Sequence, residues 1–266
     1  MRWGGLLSRR PPVAGIKDIA PEAVMLAGAG RAILLQLANP GVGYGVARHS
    51  NFVAAPLKRL HGTLSYIYAL TNGTPEQQKL VKLQVQRSHR PVKGAATAAH
   101  PAYSASDPAL QLWVAATLYD SGIQSYCALF PALDPDVAEV VYKDYGVLGT
   151  ALGMPAELWP ATRAEFARYW ELQLAQLQVD ETIKAVASEL LAAKHAPLWV
   201  KAIMPLARFL TVGLLPAQVR EMYGFSWSAR QDKRLASMFK LAAVLVRTTP
   251  AFIRHAPMHF YLKRLR

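Results

Sequence analysis

Apolar residues recur at three- and four-residue spacing along most of the chain, while strict alternation is nearly absent. The pattern predicts a succession of helices. One starts at Pro21, with Glu22 in its first turn, and is stopped by Asn39-Pro40. A second covers residues 56–69, with Leu57, Leu60, Leu64 and Ile67 on one face. Asn72-Gly73 makes the turn into a third, where Thr74 is the N-cap, Pro75 the first helical residue and Gln77 the partner in a capping box. Asp107-Pro108 and Asp134-Pro135 open two more by the same chemistry. Amphipathic helices follow over 161–177 and 181–194, a strongly apolar one assigned to the core over 197–214, and a basic one over 228–246. Alanine and leucine dominate these segments, and no internal repeat interrupts them. The expected class is all-α, with a loose basic arm over 1–20 and one domain over 21–266.

The glycines do not make a nucleotide loop. Gly15, Gly28 and Gly30 lack the preceding strand and the third glycine of the dinucleotide fingerprint, so Gly28 and Gly30 are read as sites of close helix packing. Gly41 to Ser50 holds three glycines and is left without a helix. The helix after Thr74 carries the most informative side chain. Val81, Val85 and His89 lie at i, i+4 and i+8, so one imidazole shares an apolar stripe that Val92 continues. Such an imidazole can ligate a haem iron, or it can be a core histidine bonded to a backbone carbonyl; the spacing leaves both open.

Composition narrows the chemistry. At 266 residues and 52% hydrophobic, the chain can bury a sizeable core. Its one cysteine, Cys127, excludes an intrachain disulfide and a thiolate-held zinc or iron–sulfur site within one chain, and is assigned to core packing. No G-x-S-x-G, H-E-x-x-H or E-x-x-H pattern is present. His255 and His259 lie i, i+4 without a nearby third ligand and are read as surface residues. The net charge of +13 is concentrated at the end: nine Lys/Arg between Arg230 and Arg266 face one acid, Asp232. That balance suits an anionic partner. No RNP motif, finger or clear helix-turn-helix accompanies it, so nucleic acid is not the expected partner. Residues 198–215 come nearest to a membrane span but are interrupted by Lys201, Pro205 and Arg208. Pro11-Pro12 breaks any secretory pattern. The expectation is a cytoplasmic protein, peripheral at a membrane.

A longer series of residues carries a family resemblance. Gly30-Arg31-Ala32-Ile33-Leu34-Leu35-Gln36-Leu37-Ala38-Asn39-Pro40 is followed in order by His49-Ser50-Asn51-Phe52, Pro56-Leu57-Lys58-Arg59-Leu60 with Thr63, and His89-Arg90-Pro91-Val92-Lys93-Gly94. Then come Tyr103-Ser104-Ala105-Ser106-Asp107-Pro108 leading to Leu112-Trp113-Val114, Thr117-Leu118 with Ser121, Gly153-Met154-Pro155 with Trp159-Pro160, and Tyr223-Gly224 with Trp227-Ser228. Together they resemble the catalytic domain of the rubber oxygenases (latex-clearing proteins). That domain is shared with the fungal endoplasmic-reticulum-bound oxygenase of mycophenolic acid biosynthesis and with uncharacterised actinobacterial proteins. The resemblance implies a globin-like helical fold holding haem b. In it His89 is the iron ligand, and Arg59 and Thr63 are the distal pair, lining the haem pocket and acting in catalysis with dioxygen. It implies oxygenation of a hydrophobic substrate, isoprenoid or polyketide-like. The chain departs from the family at Asn39 and Ala115, where histidines are common, and at Gly62, where some rubber oxygenases carry a lysine. Those departures keep open an alternative: a catalytically degenerate helical binding protein for haem, lipid or another apolar ligand at a membrane surface. In either case the basic C-terminal helix, with Trp227 and Phe239 near its apolar side, is expected to rest on an anionic membrane.

Overall fold

A computed structural model describes residues 12–49, 56–194 and 196–265. The first eleven residues of the expected arm, Ser50-Asn51-Phe52 and His195 lie outside them. The class is all-α, as expected. The one sheet among the described residues is a two-stranded antiparallel pair, pairing Lys93 with Ser104 and Gly94 with Tyr103.

The arm ends earlier than expected. Helix α1 (Ile16–Ile19) buries Ile16 and Ile19, and the Ile16 amide donates to Asp144 Oδ2 at 3.0 Å. The helix expected from Pro21 begins instead as a 3-10 segment, Ala23–Gly28, before α2 (Ala29–Ala38). The glycine-rich stretch forms a helix, α3 (Pro40–His49), which the sequence reading did not expect. Two local features explain it. Asn39 accepts from the Val42 amide (3.2 Å) as an N-cap, and Gly43 lies where a Cβ would meet the Leu37 carbonyl oxygen at 2.3 Å.

Next come α4 (Pro56–Asn72) and α5 (Pro75–His89), β1 (Lys93–Gly94) and β2 (Tyr103–Ser104), then α6 (Pro108–Cys127) and α7 (Pro135–Tyr145). A short α8 (Val147–Thr150) leads to α9 (Arg163–Gln176), α10 (Glu181–Ala192), α11 (Leu198–Leu214), α12 (Ala217–Met222), α13 (Ala229–Thr248), α14 (Ala251–Arg254) and α15 (Ala256–Lys263). The expected caps are in place: Thr74 on α5, Asp107 on α6 and Asp134 on α7 each accept a first-turn amide. Thr74→Ala is expected to lower stability by about 1 kcal/mol, measured by urea denaturation.

The core is organised around α2 and α6. Gly28 and Gly30 let neighbours come close: a Cβ at Gly28 would sit 2.6 Å from the Ser121 carbonyl oxygen, and one at Gly30 would sit 1.9 Å from Thr211 Oγ1. The small-residue reading of these glycines therefore holds. Between the two helices runs a seam of satisfied polar groups. Arg31 is 3% exposed; it forms an ion pair with Asp120 and donates to Ser121 Oγ (2.8 Å) and the Leu214 carbonyl (2.7 Å). Gln36 donates to Thr117 Oγ1 at 3.0 Å, and Trp113 Nε1 donates to the Leu35 carbonyl at 3.2 Å. Tyr223 closes the far side by donating to the Leu34 carbonyl at 2.7 Å. Six residues of the family-like pattern, Arg31, Gln36, Trp113, Thr117, Ser121 and Tyr223, are thus framework residues, each buried with its partner supplied.

Three further expectations are corrected. α11 is not a core helix: Leu198, Trp199, Ile203 and Leu206 are exposed. Cys127 ends α6 as an exposed residue, and partial desolvation of its thiol pushes its pKa up, which disfavours the thiolate a nucleophile needs. His255 faces inward, 3.2 Å from Glu22 Oε1, beside Arg254, which pairs with the same oxygen at 2.5 Å.

Candidate functional site

The α4–α5 hairpin positions the three residues singled out from sequence. Its turn joins the end of α4 to the start of α5, so the beginning of α4 and the end of α5 lie at the same end. Arg59 and His89 are each about 20 Å from the turn at 1.5 Å rise per residue, which sets them at one level. The hairpin is held from behind by α15. Tyr261 packs on Tyr68 at 5.9 Å, and Gln77 Nε2 donates to the Leu262 carbonyl at 2.8 Å.

His89 is half-buried at the end of α5, on the same face as the buried Val81. Among the described residues its imidazole makes no hydrogen bond, so the carbonyl-bonded core histidine is not what is found. Burial pushes its pKa below the ordinary histidine value, and the positive charge of Arg59 pushes in the same direction. The ring is therefore neutral at pH 7, with a lone pair available to a ligand. Arg59 presents accessible surface, yet enough protein surrounds its guanidinium to lower its pKa by desolvation. Thr63 is half-buried one turn further along α4.

Beside His89 lies a recess of about 370 Å³, lined by Gln86, His89, Arg90, Lys93, Ser104 to Ser106, Gln111 and Leu152. Neither Arg59 nor Thr63 is among its lining side chains; the structure relates Arg59 to His89 through charge and level, and Thr63 only through its place on α4. The sequence reading missed Gln111, whose Nε2 donates to the Ala105 carbonyl (3.0 Å) while its buried Oε1 has no hydrogen-bond partner. An amide among the apolar residues of the first two turns of α6 was its available signal. Arg90 and Lys93, neighbours of His89 in the family-like pattern, both stand on the wall of this recess.

The two departures also have a physical account. Asn39 is spent on capping α3, and Ala115 is buried 3.5 Å from the Cβ that a residue larger than Gly149 would carry. At Gly62 a side chain would meet open space, while the neighbouring His61 turns away to the edge of Tyr261 at 5.5 Å. No cluster of three or more metal-ligating side chains exists among the described residues.

An all-helical fold with a neutral histidine at a recess fits a helical oxygenase domain, and comparison with known proteins supplies the family. Residues 16–248 match the family described as ER-bound oxygenase mpaB/B'/Rubber oxygenase, catalytic domain, and the chain belongs to it. Its class is accordingly oxygenase-like. The chain is similar to two uncharacterised mycobacterial proteins, Rv2237 of Mycobacterium tuberculosis and Mb2261 of Mycobacterium bovis. Each is 35% identical over 223 residues, covering 80% of this chain and 87% of the relative. No solved structure matches the chain significantly.

Proposed function

We propose that the protein is a haem b-dependent oxygenase of globin-like architecture acting on a hydrophobic substrate, isoprenoid or polyketide-like. The observation that carries this reading is His89: a neutral imidazole with no hydrogen-bond partner among the described residues, on the wall of a 370 Å³ recess. The donor set suits a haem. One imidazole would be the protein's ligand to iron, and the cationic Arg90 and Lys93 on the same wall match the charge of the porphyrin carboxylates. A bound haem supplies the electron exchange with dioxygen that no amino-acid side chain provides. The remaining work falls to this chain. His89 would hold the group at the end of α5, and Arg59, whose charge already acts on His89, would supply positive charge to stabilise negative charge developing on oxygen. Thr63 adds a hydroxyl that donates or accepts one turn away. Gln111, with its unpaired Oε1, orients any donor group in the recess.

The experiment is an absorption spectrum of protein purified from haem-supplemented cells, followed by oxygen uptake with apolar alkenes. A Soret band that shifts on reduction, together with substrate-dependent uptake, supports the reading. A colourless protein under full haem supply overturns it and favours the helical binding protein, for which Asn39 and Ala115 already speak. Arg59→Ala is expected to keep the Soret band but lower turnover by about 10²–10³-fold, the usual loss of a donor that stabilises developing charge.

A further inference from the structure

The C-terminal quarter of the chain carries its large apolar side chains outward. Ten of the sixteen large hydrophobic residues exposed among the described residues fall between Leu198 and Phe260. They include Trp199 (62%) and Ile203 on α11, Leu241 (65%) and Leu245 on α13, and Phe252 (71%) on α14. Concentrated exposure of this kind marks a binding surface, because each side chain gives up burial worth about 25 cal/mol per Å².

The exposure has a structural origin. On α11, Trp199, Ala202, Leu206, Phe209 and Gly213 follow at spacings of three and four and share one face. The far half of that face is covered: Phe209 packs on Trp227 at 5.1 Å under the Arg234 guanidinium at 5.2 Å, and a Cβ at Gly213 would lie 2.7 Å from Leu235. On α13 the face of Arg234 continues through Leu241 and Leu245. Each helix spends one end of its stripe on the other and leaves the continuation bare. Trp227 and Phe239, the residues expected to meet a membrane, are occupied within the protein. Trp227 Nε1 donates to Asp232 at 2.6 Å, and Phe239 packs against the core.

Charge selects the occupant. Lys201 lies beside the bare stripe of α11, and Lys233, Lys240 and Arg247 run seven apart along α13 next to Val244. Only two acids, Glu221 and Asp232, stand between residues 197 and 266. A second copy related by a two-fold axis would press these like-charged rims together. An anionic bilayer would neutralise them while accepting the aromatic and aliphatic side chains. No helix among the described residues is long and apolar enough to cross a membrane, so the face lies on a bilayer rather than in it. We propose that the bare faces of α11, α13 and α14 form a docking surface for an anionic lipid bilayer. The surface stands without haem; that an apolar substrate is met there rests on the oxygenase reading.

The test is co-sedimentation of the full chain with vesicles of phosphatidylcholine alone and of phosphatidylcholine with about one-third phosphatidylglycerol. The proposal expects binding to the anionic vesicles only, weakened by salt. It expects about a tenfold lower partition for Trp199→Ser/Ile203→Ser with an unchanged circular dichroism spectrum. Lys240→Glu/Arg247→Glu is the second variant, and it too should lose binding. No sedimentation, equal binding to both vesicles, or wild-type binding by both variants would overturn the proposal. So would a concentration-dependent dimer that Trp199→Ser/Ile203→Ser dissociates, since the face would then join two copies. Each outcome is read on lipid or mass, so it leaves the haem question to the absorption spectrum.

Discussion

Replacing His89 by alanine is expected to remove the Soret band while leaving the helical circular dichroism signal and the denaturation midpoint nearly unchanged. The expectation follows from where the residue sits. His89 ends α5 and is half-buried, and it makes no hydrogen bond among the described residues whose loss would orphan a partner. Alanine is also a better helix former than histidine by a few tenths of a kcal/mol. Stability therefore has little to lose, whereas a haem held by one imidazole loses its only protein bond to iron. Adding free imidazole to the variant is expected to restore much of the band by refilling the space left by the ring. If the variant keeps a histidine-type spectrum unaided, the assignment to His89 fails. The next imidazole to test is His100, whose Nδ1 lies 2.8 Å from the Pro101 carbonyl and whose buried Nε2 has no hydrogen-bond partner.

Arg31→Ala is expected to cost about 3–5 kcal/mol of folding stability, enough to move the thermal midpoint by on the order of 10 °C. The guanidinium is almost fully buried and serves Asp120, Ser121 and the Leu214 carbonyl at once, joining α2 to α6 and to the end of α11. Burial already strains both charges: it lowers the Arg31 pKa, and it raises that of Asp120 against the pull of the arginine. Removing the cation alone leaves a buried carboxylate without its counter-charge, which is the expensive case. A double replacement, Arg31→Met with Asp120→Leu, is expected to recover most of the loss, because an apolar pair needs no solvation. Differential scanning calorimetry of the parent and the two variants measures this. If Arg31→Ala unfolds within about 1 kcal/mol of the parent, the seam is not what holds α2 to α6.

These two residues also divide what was readable. Arg31 belongs to the longest family-like run, and that run could be found without knowing its purpose; only the packed helices reveal it as a framework seam. His89 was readable as an inward-facing imidazole from i, i+4 spacing alone. Whether it had a carbonyl partner depended on a neighbour remote in sequence. Arg59 could be placed on α4 by periodicity, but its influence on His89 comes from the length of the hairpin, which equalises the two arms.

By itself, the sequence determined the all-α class, the caps at Thr74, Asp107 and Asp134, and the family. Each rests on contacts within a few residues or on an ordered set of short patterns. Tertiary structure decided the rest. The apolar face of α11, away from Lys201 and Arg208, carries no local mark of whether the core or something else will cover it, so only its neighbours could show that Trp199 and Ile203 stay outside. The glycines of α3 argue locally against a helix. They are accepted because bare Cα atoms at Gly41 and Gly43 leave room for the distant Leu110 and Ile183, which a Cβ would meet at 2.9 and 2.7 Å. Local propensity is worth tenths of a kcal/mol per residue, and burial against a distant partner is worth more, so where the two disagree the packing prevails.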